Sequence, residues 1–227
     1  MAQILALDTS TDACSVALQT RDQTLVRFEV APRKHTKLLL PMVDSLLTEA
    51  GLRVADLDMI AFGRGPGSFA GIRIATGAAQ GLALAFETPV VGISTLEMIA
   101  WRALEDSPEA EYILAALDAR MDELYWCCYQ VESGVPVALH EERVSAPAEV
   151  SLPREAQWII AGSGVNYLPS MPKIGLQVVG SDAAVYPEAR VMLRLAQREF
   201  NAGNLLKPEE AQPVYLREGG WKKKDEQ

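Results

Sequence analysis

The residues best suited to chemistry lie in a glycine-rich block that runs from Gly63 to Gly71 and reads GRGPGSFAG. Glycines at alternate positions allow backbone conformations that other residues avoid, and Ser68 can cap a helix that starts after it. Such a loop at a helix start can hold an anion through its N–H groups. It can equally be a tight strand-to-helix turn that binds nothing, and it lacks the Gly-Lys-Ser/Thr of a P-loop.

Two further turns could contact a nucleotide. The turn after the first apolar run could offer a carboxylate and hydroxyls to a phosphate and its metal, although a structural Asx turn explains the same residues. A second turn, reading GSG, follows a predicted strand and could approach a base. The predicted weak or vestigial nucleotide or anion contacts are Asp8, Thr9, Ser10, Gly63, Gly65, Gly67, Ser68, Gly162 and Gly164.

Catalytic groups are sparse in this sequence. The two histidines, His35 and His140, have no second metal ligand at a useful spacing. There is no GxSxG nucleophile elbow. The adjacent Cys127 and Cys128 fall in a predicted strand, where neighbouring side chains point to opposite faces. We therefore expect no catalytic residue and no metal site.

Charge and composition exclude several classes of protein. Acidic residues outnumber basic ones by 30 to 21, giving a net charge of −9, whereas proteins that grip nucleic acid alone usually carry a basic face. No apolar run approaches the roughly 18 residues of a membrane span, and the N-terminus lacks the basic start of a signal peptide. An odd number of cysteines, three, argues for a reducing compartment. These features predict a cytoplasmic protein.

The elements that must position these residues form a pattern that occurs twice. Placing Leu7-Asp8 over Leu117-Asp118 aligns strand, aspartate, turn and strand in both halves, as an internal duplication would. A chance match of two three-strand units is the alternative. We expect an α/β protein with a first lobe at 1–106 (βββαβαβα), a second lobe at 107–218 whose last segment could pack back on the first, and a disordered tail at 219–227.

Two predicted helices of the first lobe, at 36–51 and 68–87, carry more apolar surface than one core requires. A helix that is apolar over most of its circumference is buried on several sides, either in one domain core or partly against a partner chain. The predicted partner interface comprises Leu38, Leu39, Met42, Val43, Leu46, Arg73, Ile74, Gly77, Ala78 and Gly81.

Four segments together resemble one bacterial family, the TsaB (YeaZ) proteins. They are ILALDTSTDACSVAL near the start, KHTKLLLPMVDSLL, GRGPGSFAGIRIATGAAQGLA and the closing PVYLR. The resemblance covers essentially the whole chain, and the glycine block is its specific part. It implies an actin/Hsp70-like (ASKHA, RNase H-like) fold in which each of two lobes is a mixed sheet with flanking helices.

The resemblance also implies a function. Proteins of this family serve the threonylcarbamoyl modification of tRNA adenosine beside the anticodon, as the partner of the catalytic subunit TsaD and together with the ATPase TsaE. It implies a non-catalytic scaffold or activator that forms a heterodimer with TsaD through the first-lobe helices. Without TsaD it would form a homodimer, and it would meet tRNA only through the complex.

One departure bears on nucleotide chemistry. The second predicted phosphate turn contains Arg120 and Met121, where a phosphate-binding turn needs glycine and small hydroxyl residues. We therefore expect weak or no ATP hydrolysis, and at most weakly bound ATP or ADP in the cleft between lobes or at the subunit interface. Two alternatives stay open: an active ATPase of the actin or sugar-kinase type, and a peptidase.

Overall fold

Two mixed β-sheets form the framework of the computed structural model, which describes residues 2–172, 175–178 and 185–217. The first sheet has the strand order β3-β2-β1-β4-β5. Its first three strands run antiparallel, and β1, β4 and β5 run parallel. The strands are β1 (Ile4–Asp8), β2 (Ala13–Gln19), β3 (Thr24–Val30), β4 (Met59–Gly65) and β5 (Val90–Ser94).

The second sheet repeats the first. Its order is β11-β10-β6-β7-β8, and β9 also pairs with β7. The central strand β6 again has an antiparallel neighbour on one side and parallel strands on the other. This repetition confirms the predicted duplication, in which each half contains a mixed sheet. The strands are β6 (Tyr112–Asp118), β7 (Leu124–Glu132), β8 (Val135–Ala138), β9 (Arg143–Ser145), β10 (Trp158–Ala161) and β11 (Leu176–Val178).

Four α-helices flank the sheets: α1 (His35–Ala50), α2 (Phe69–Leu84), α3 (Thr95–Asp106) and α4 (Ala189–Ala202). Ser68 and Ser94 cap α2 and α3 by accepting hydrogen bonds from main-chain N–H groups, as expected for N-cap serines. Gly51 and Gly203 end α1 and α4 in the left-handed conformation. Helix α4 begins at Ala189, after the non-helical residues 185–188.

The helices distribute unequally over the two sheets. Helices α1 and α2 pack on one face of the first sheet, and α4 packs on the other face. Helix α3 lies between the halves: Met98 and Trp101 join the core beside α4, while Leu96 and Ile99 join the core of the second sheet. In the described second half, short 3₁₀ segments at Pro147–Glu149 and Ser163–Ser170 replace the helices that connect the strands of the first half.

The chain returns to the first half at its end. Leu206 pairs with Val90 at the edge of the first sheet, and residues 211–217 then run beside α2. The tail predicted at 219–227 lies outside the described residues. No helix in the described parts of the chain has the length and apolar character to cross a bilayer.

Candidate protein-docking interface

Helices α1 and α2 lie next to each other, and the outer surface of α2 is poor in charge. The only charged side chain from Phe69 to Leu84 is Arg73. Large apolar side chains on these helices and just after α2 are exposed to solvent. They are Leu40 (52% exposed), Phe69 (53%), Leu84 (63%) and Phe86 (55%).

The structure divides the predicted interface residues into two groups. Seven of them reach the outer surface. Of these, Arg73, Gly77 and Gly81 are exposed, and Leu38, Met42, Ile74 and Ala78 are half-buried.

The other three residues require a correction. Leu39, Val43 and Leu46 are 1%, 3% and 0% exposed and pack into the core of the first sheet. Their spacing on α1 placed them on one apolar stripe, and that stripe is the one that faces the sheet. They are therefore not available to a partner.

Sequence reasoning missed Phe69 and Leu84 as surface residues. Helical periodicity could have found them, because 69, 73, 77, 81 and 84 follow one another at steps of three or four along one face. The same stripe carries Gly77 and Gly81, where an added Cβ would meet no atom within 4 Å. The fold of this chain therefore does not require glycine at these two positions.

The glycine block is explained by close packing on the Asp8–Ser10 turn. Gly63 and Gly65 belong to strand β4 rather than to a loop. A Cβ at Gly63 would lie 1.9 Å from Asp8 Oδ2, and a Cβ at Gly67 would lie 2.3 Å from the Ser10 carbonyl oxygen. The Ser68 N–H donates to the same carbonyl at 2.7 Å. The block and the turn thus fill the space that an open phosphate cradle would need.

The turn itself points its polar groups inward. Asp8, Thr9 and Ser10 are at most 1% exposed. The Thr9 hydroxyl donates to the Gly71 carbonyl at 2.6 Å. Asp8 Oδ1 accepts from the Ser10 N–H at 3.1 Å and hydroxyl at 2.9 Å, whereas Oδ2 has no hydrogen-bond partner among the described residues. Burial raises the pKa of the Asp8 carboxyl to about 7, against the two hydrogen bonds from Ser10.

The second turn presents carbonyl oxygens rather than N–H groups. Arg120, Met121 and Asp122 all have positive φ, a conformation that costs free energy in residues with a side chain. The Arg217 guanidinium donates to the carbonyls of Ala119 at 3.2 Å and Arg120 at 3.4 Å. These two carbonyls are therefore occupied by Arg217, and carbonyl oxygens are not the N–H donors that a phosphate-binding turn uses.

The third candidate turn is also closed by packing. A Cβ at Gly162 would lie 2.3 Å from the Ala116 carbonyl oxygen, and one at Gly164 would lie 2.4 Å from the Ala116 Cβ. Gly162 has φ of 96°. These glycines allow the chain to cross the end of β6, so close packing within the chain explains both of them.

Nucleophiles and metal ligands do not converge in the described residues. Burial raises the pKa of the Cys127 and Cys128 thiols to about 12, so both stay protonated. His140 Nε2 accepts from the Cys128 N–H at 3.3 Å, and Nδ1 lies 2.7 Å from the Glu141 carbonyl. Across the described residues, no three His, Cys, Asp or Glu side chains form a group that could hold a metal.

A cleft of about 440 Å³ lies between the two sheets. Two of its carboxylates are paired with arginines. Arg64 Nη1 lies 3.1 Å from Glu142 Oε2, and Glu97 pairs with Arg198 at 2.8 Å. Ser94 donates to Glu142. Both arginines are therefore paired, and Glu141 adds a further negative charge to the lining, which disfavours a nucleotide phosphate.

Comparison with known proteins identifies the family. Residues 25–210 match the family model described as TsaD, tRNA N6-adenosine threonylcarbamoyltransferase. The chain is 41% identical to the tRNA threonylcarbamoyladenosine biosynthesis protein TsaB of Escherichia coli (strain K12), over 97% of both chains. It is 40% identical to the protein of that name from Haemophilus influenzae, over 97% of this chain and 96% of the relative.

Solved structures agree. YeaZ from Pseudomonas aeruginosa superposes with a TM-score of 0.88 at 46% identity, over 95% of this chain and all of that one. A second Pseudomonas aeruginosa structure, described as an uncharacterized protein with similarity to peptidase YEAZ, has the same TM-score and identity. Because identity above 40% extends over nearly the whole of each chain and the two-sheet fold is shared, the chain belongs to the TsaB (YeaZ) family.

Proposed function

We propose that this protein is a non-catalytic scaffold and activator in the threonylcarbamoyl modification of tRNA, and that it docks on TsaD through the outer surface of α1 and α2. The observation that carries the proposal is the pair Gly77 and Gly81, which face open space in the middle of a helix. Glycine costs a helix interior about 1 kcal/mol relative to alanine. The absence of a side chain at these two positions brings no benefit within this chain, but it would let the backbone of a partner helix approach closely.

The exposed apolar side chains on this surface support the same conclusion. Leu40, Phe69, Leu84 and Phe86 are each about half exposed, so completing their burial would contribute roughly half of the ~1.5–3 kcal/mol that a fully exposed side chain gains. The total is of the same order as the cost of bringing two proteins together, about 4–15 kcal/mol. The half-buried Leu38, Met42, Ile74 and Ala78 would have to add to it. We expect a specific complex of moderate affinity.

The closed turns support a partner role without catalysis. Asp8 and Ser10 are covered by the glycine block, and the second turn directs carbonyls at Arg217. Chemistry on the nucleotide and on the adenosine would then belong to TsaD, with TsaE as a further member of the complex. Any ATP or ADP that contacts this chain would bind weakly, in the cleft between the lobes or at the subunit interface.

The net charge and the free cysteines of the chain are consistent with a partner subunit of this complex. A net charge of −9 leaves most tRNA contacts to the other subunits. The three cysteines are free and buried, as in cytoplasmic proteins. We assign the docking surface to a lobe at 1–106 and the remainder to a lobe at 107–218, whose last segment packs back on the first lobe. We assign self-association without TsaD to the same docking surface.

The test is titration calorimetry of TsaD with this chain and its Gly81→Leu variant. Because the added side chain enters open space, the variant should keep the fold and its Tm within a few degrees. It should bind TsaD at least about tenfold more weakly, since overpacking a contact commonly costs about 1–3 kcal/mol.

The matched control is Ala202→Leu, which adds the same bulk at an exposed position of α4, on the other face of the first sheet. It should bind TsaD like the unmodified chain. Equal affinities for Gly81→Leu and Ala202→Leu would contradict docking through α2. A parallel titration with ATP and Mg²⁺ that found tight binding and turnover by the isolated chain would favour the ATPase alternative.

A further inference from the structure

The last described segment, Ala211 to Arg217, connects the two halves of the molecule along the mouth of the cleft. It follows the short 3₁₀ turn at Pro208–Glu210 and passes beside α2. Leu216 lines the cleft between the sheets. The two ends of this segment contact different halves of the molecule.

The first end is fixed on the first half by main-chain and side-chain hydrogen bonds. The Gln80 amide of α2 donates to the Ala211 carbonyl at 3.0 Å. The Val214 N–H donates to the Arg64 carbonyl at 2.7 Å, so the segment continues the hydrogen bonding at the end of β4.

An aromatic and cationic cluster adds to this attachment. Arg73 Nε lies 2.7 Å from the Tyr215 hydroxyl, and its guanidinium lies 3.7 Å from the centre of the Phe69 ring. The Phe69 and Tyr215 rings are 5.7 Å apart. Residues from the first two turns of α2 are therefore held by a side chain of the terminal segment.

The other end is fixed on the second half by one side chain. Arg217 donates to the carbonyls of Ala119 and Arg120 and pairs with Glu123. These three acceptors belong to the turn whose middle residues, 120–122, all have positive φ. A turn with three successive residues in this conformation depends on contacts from outside for its shape.

We propose that residues 211–217 act as a strap that couples the first turns of α2 to the turn at 119–123, with Arg217 as the positioning residue that holds it closed. Only Leu216 lies between Tyr215 in the first attachment and Arg217 in the second, so motion at one end is transmitted to the other. Release of Arg217 frees the turn and loosens the attachment of Val214 and Tyr215 on α2. The strap stands on contacts within this chain and does not depend on the docking proposed above.

Hydrogen–deuterium exchange on the full isolated chain tests the strap, with Arg217→Ala against the unmodified protein. Two carbonyl contacts and one ion pair are lost together. We expect the protected N–H groups at 119 and 123 to exchange about tenfold faster. The Val214 N–H and the first turns of α2 should accelerate with them, although they do not touch Arg217.

Two further variants distinguish a strap from a local effect of Arg217. Arg154→Ala removes an arginine side chain that lies against Tyr112 of the second sheet, and it should leave both regions unchanged. Tyr215→Ala cuts the strap at the other end, and it should accelerate exchange at 119–123. If Arg217→Ala changes exchange at 119–123 alone, or if Tyr215→Ala leaves that turn unchanged, Arg217 is a local cap and the strap is overturned.

Discussion

At the scale of single residues, close packing against Asp8 and its neighbours explains why the block from Gly63 to Gly71 is rich in glycine. The sequence predicted polar turns and conformationally free glycines at these positions, and the structure contains both. What it could not predict is that Gly63 and Gly67 are needed because the Asp8 side chain and the Ser10 backbone of a distant turn lie against them. Close approach between residues more than fifty positions apart leaves no local sequence signal. A phosphate-binding interpretation and a packing interpretation therefore looked alike.

The buried Asp8 carboxyl predicts a pH dependence of stability. Its pKa is about 7 in the folded chain and about 3.9 in an unfolded one. The folded state therefore holds a proton that the unfolded state loses. The free energy of unfolding should fall as pH rises from about 4 to 7, by up to about 1.4 kcal/mol per pH unit, and this contribution should be constant above and below that window.

Urea unfolding at several pH values measures this effect. Asp8→Asn should remove that slope, while Asp22→Asn, in the exposed turn between β2 and β3, should retain it. Parallel pH profiles for Asp8→Asn and the unmodified protein would show that Asp8 does not titrate in this window.

Helix α2 shows at the scale of the element how far periodicity alone can go. Sequence pattern predicted the helix, its serine cap and its excess of small apolar residues, and it placed the end at 87 where the helix stops at Leu84. For α1, the pattern could not tell which stripe faces the sheet. Leu39, Val43 and Leu46 were consequently assigned to a partner although they form the core. Only the position of the sheet decides between two apolar faces.

Two glycines of α2 should respond oppositely to the same substitution. Gly71→Ala places a Cβ 1.9 Å from the Thr9 carbonyl oxygen, and such overpacking against backbone should destabilise the fold by about 1–3 kcal/mol. Gly77→Ala meets open space and should stabilise it by about 1 kcal/mol through helix propensity. Thermal and urea unfolding of both variants measure the difference. Equal effects of one sign would contradict the packing described for this helix.

Duplication governs the architecture at the scale of the whole molecule. The repeated strand, aspartate and turn predicted two similar sheets, and both sheets have the same order. The sequence did not predict that the second half replaces connecting helices with 3₁₀ segments. It predicted that the last segment could pack back on the first lobe, but not that residues 211–217 would contact both halves. The path of that segment depends on side-chain partners such as Arg73 and Glu123, which lie far away along the chain.

The central claim is that this protein acts by docking on TsaD through α2 and performs none of the chemistry itself. Its most direct test is a reconstituted assay of threonylcarbamoyl transfer to tRNA, containing TsaD and TsaE, with this chain, with Gly81→Leu or without either. We predict full modification with the unmodified chain, at least about a tenfold lower rate with Gly81→Leu at subsaturating concentration, and recovery of the rate when the variant is raised to saturation. Full activity without the chain, or a Gly81→Leu variant that is active at the same low concentration as the unmodified chain, would contradict the claim.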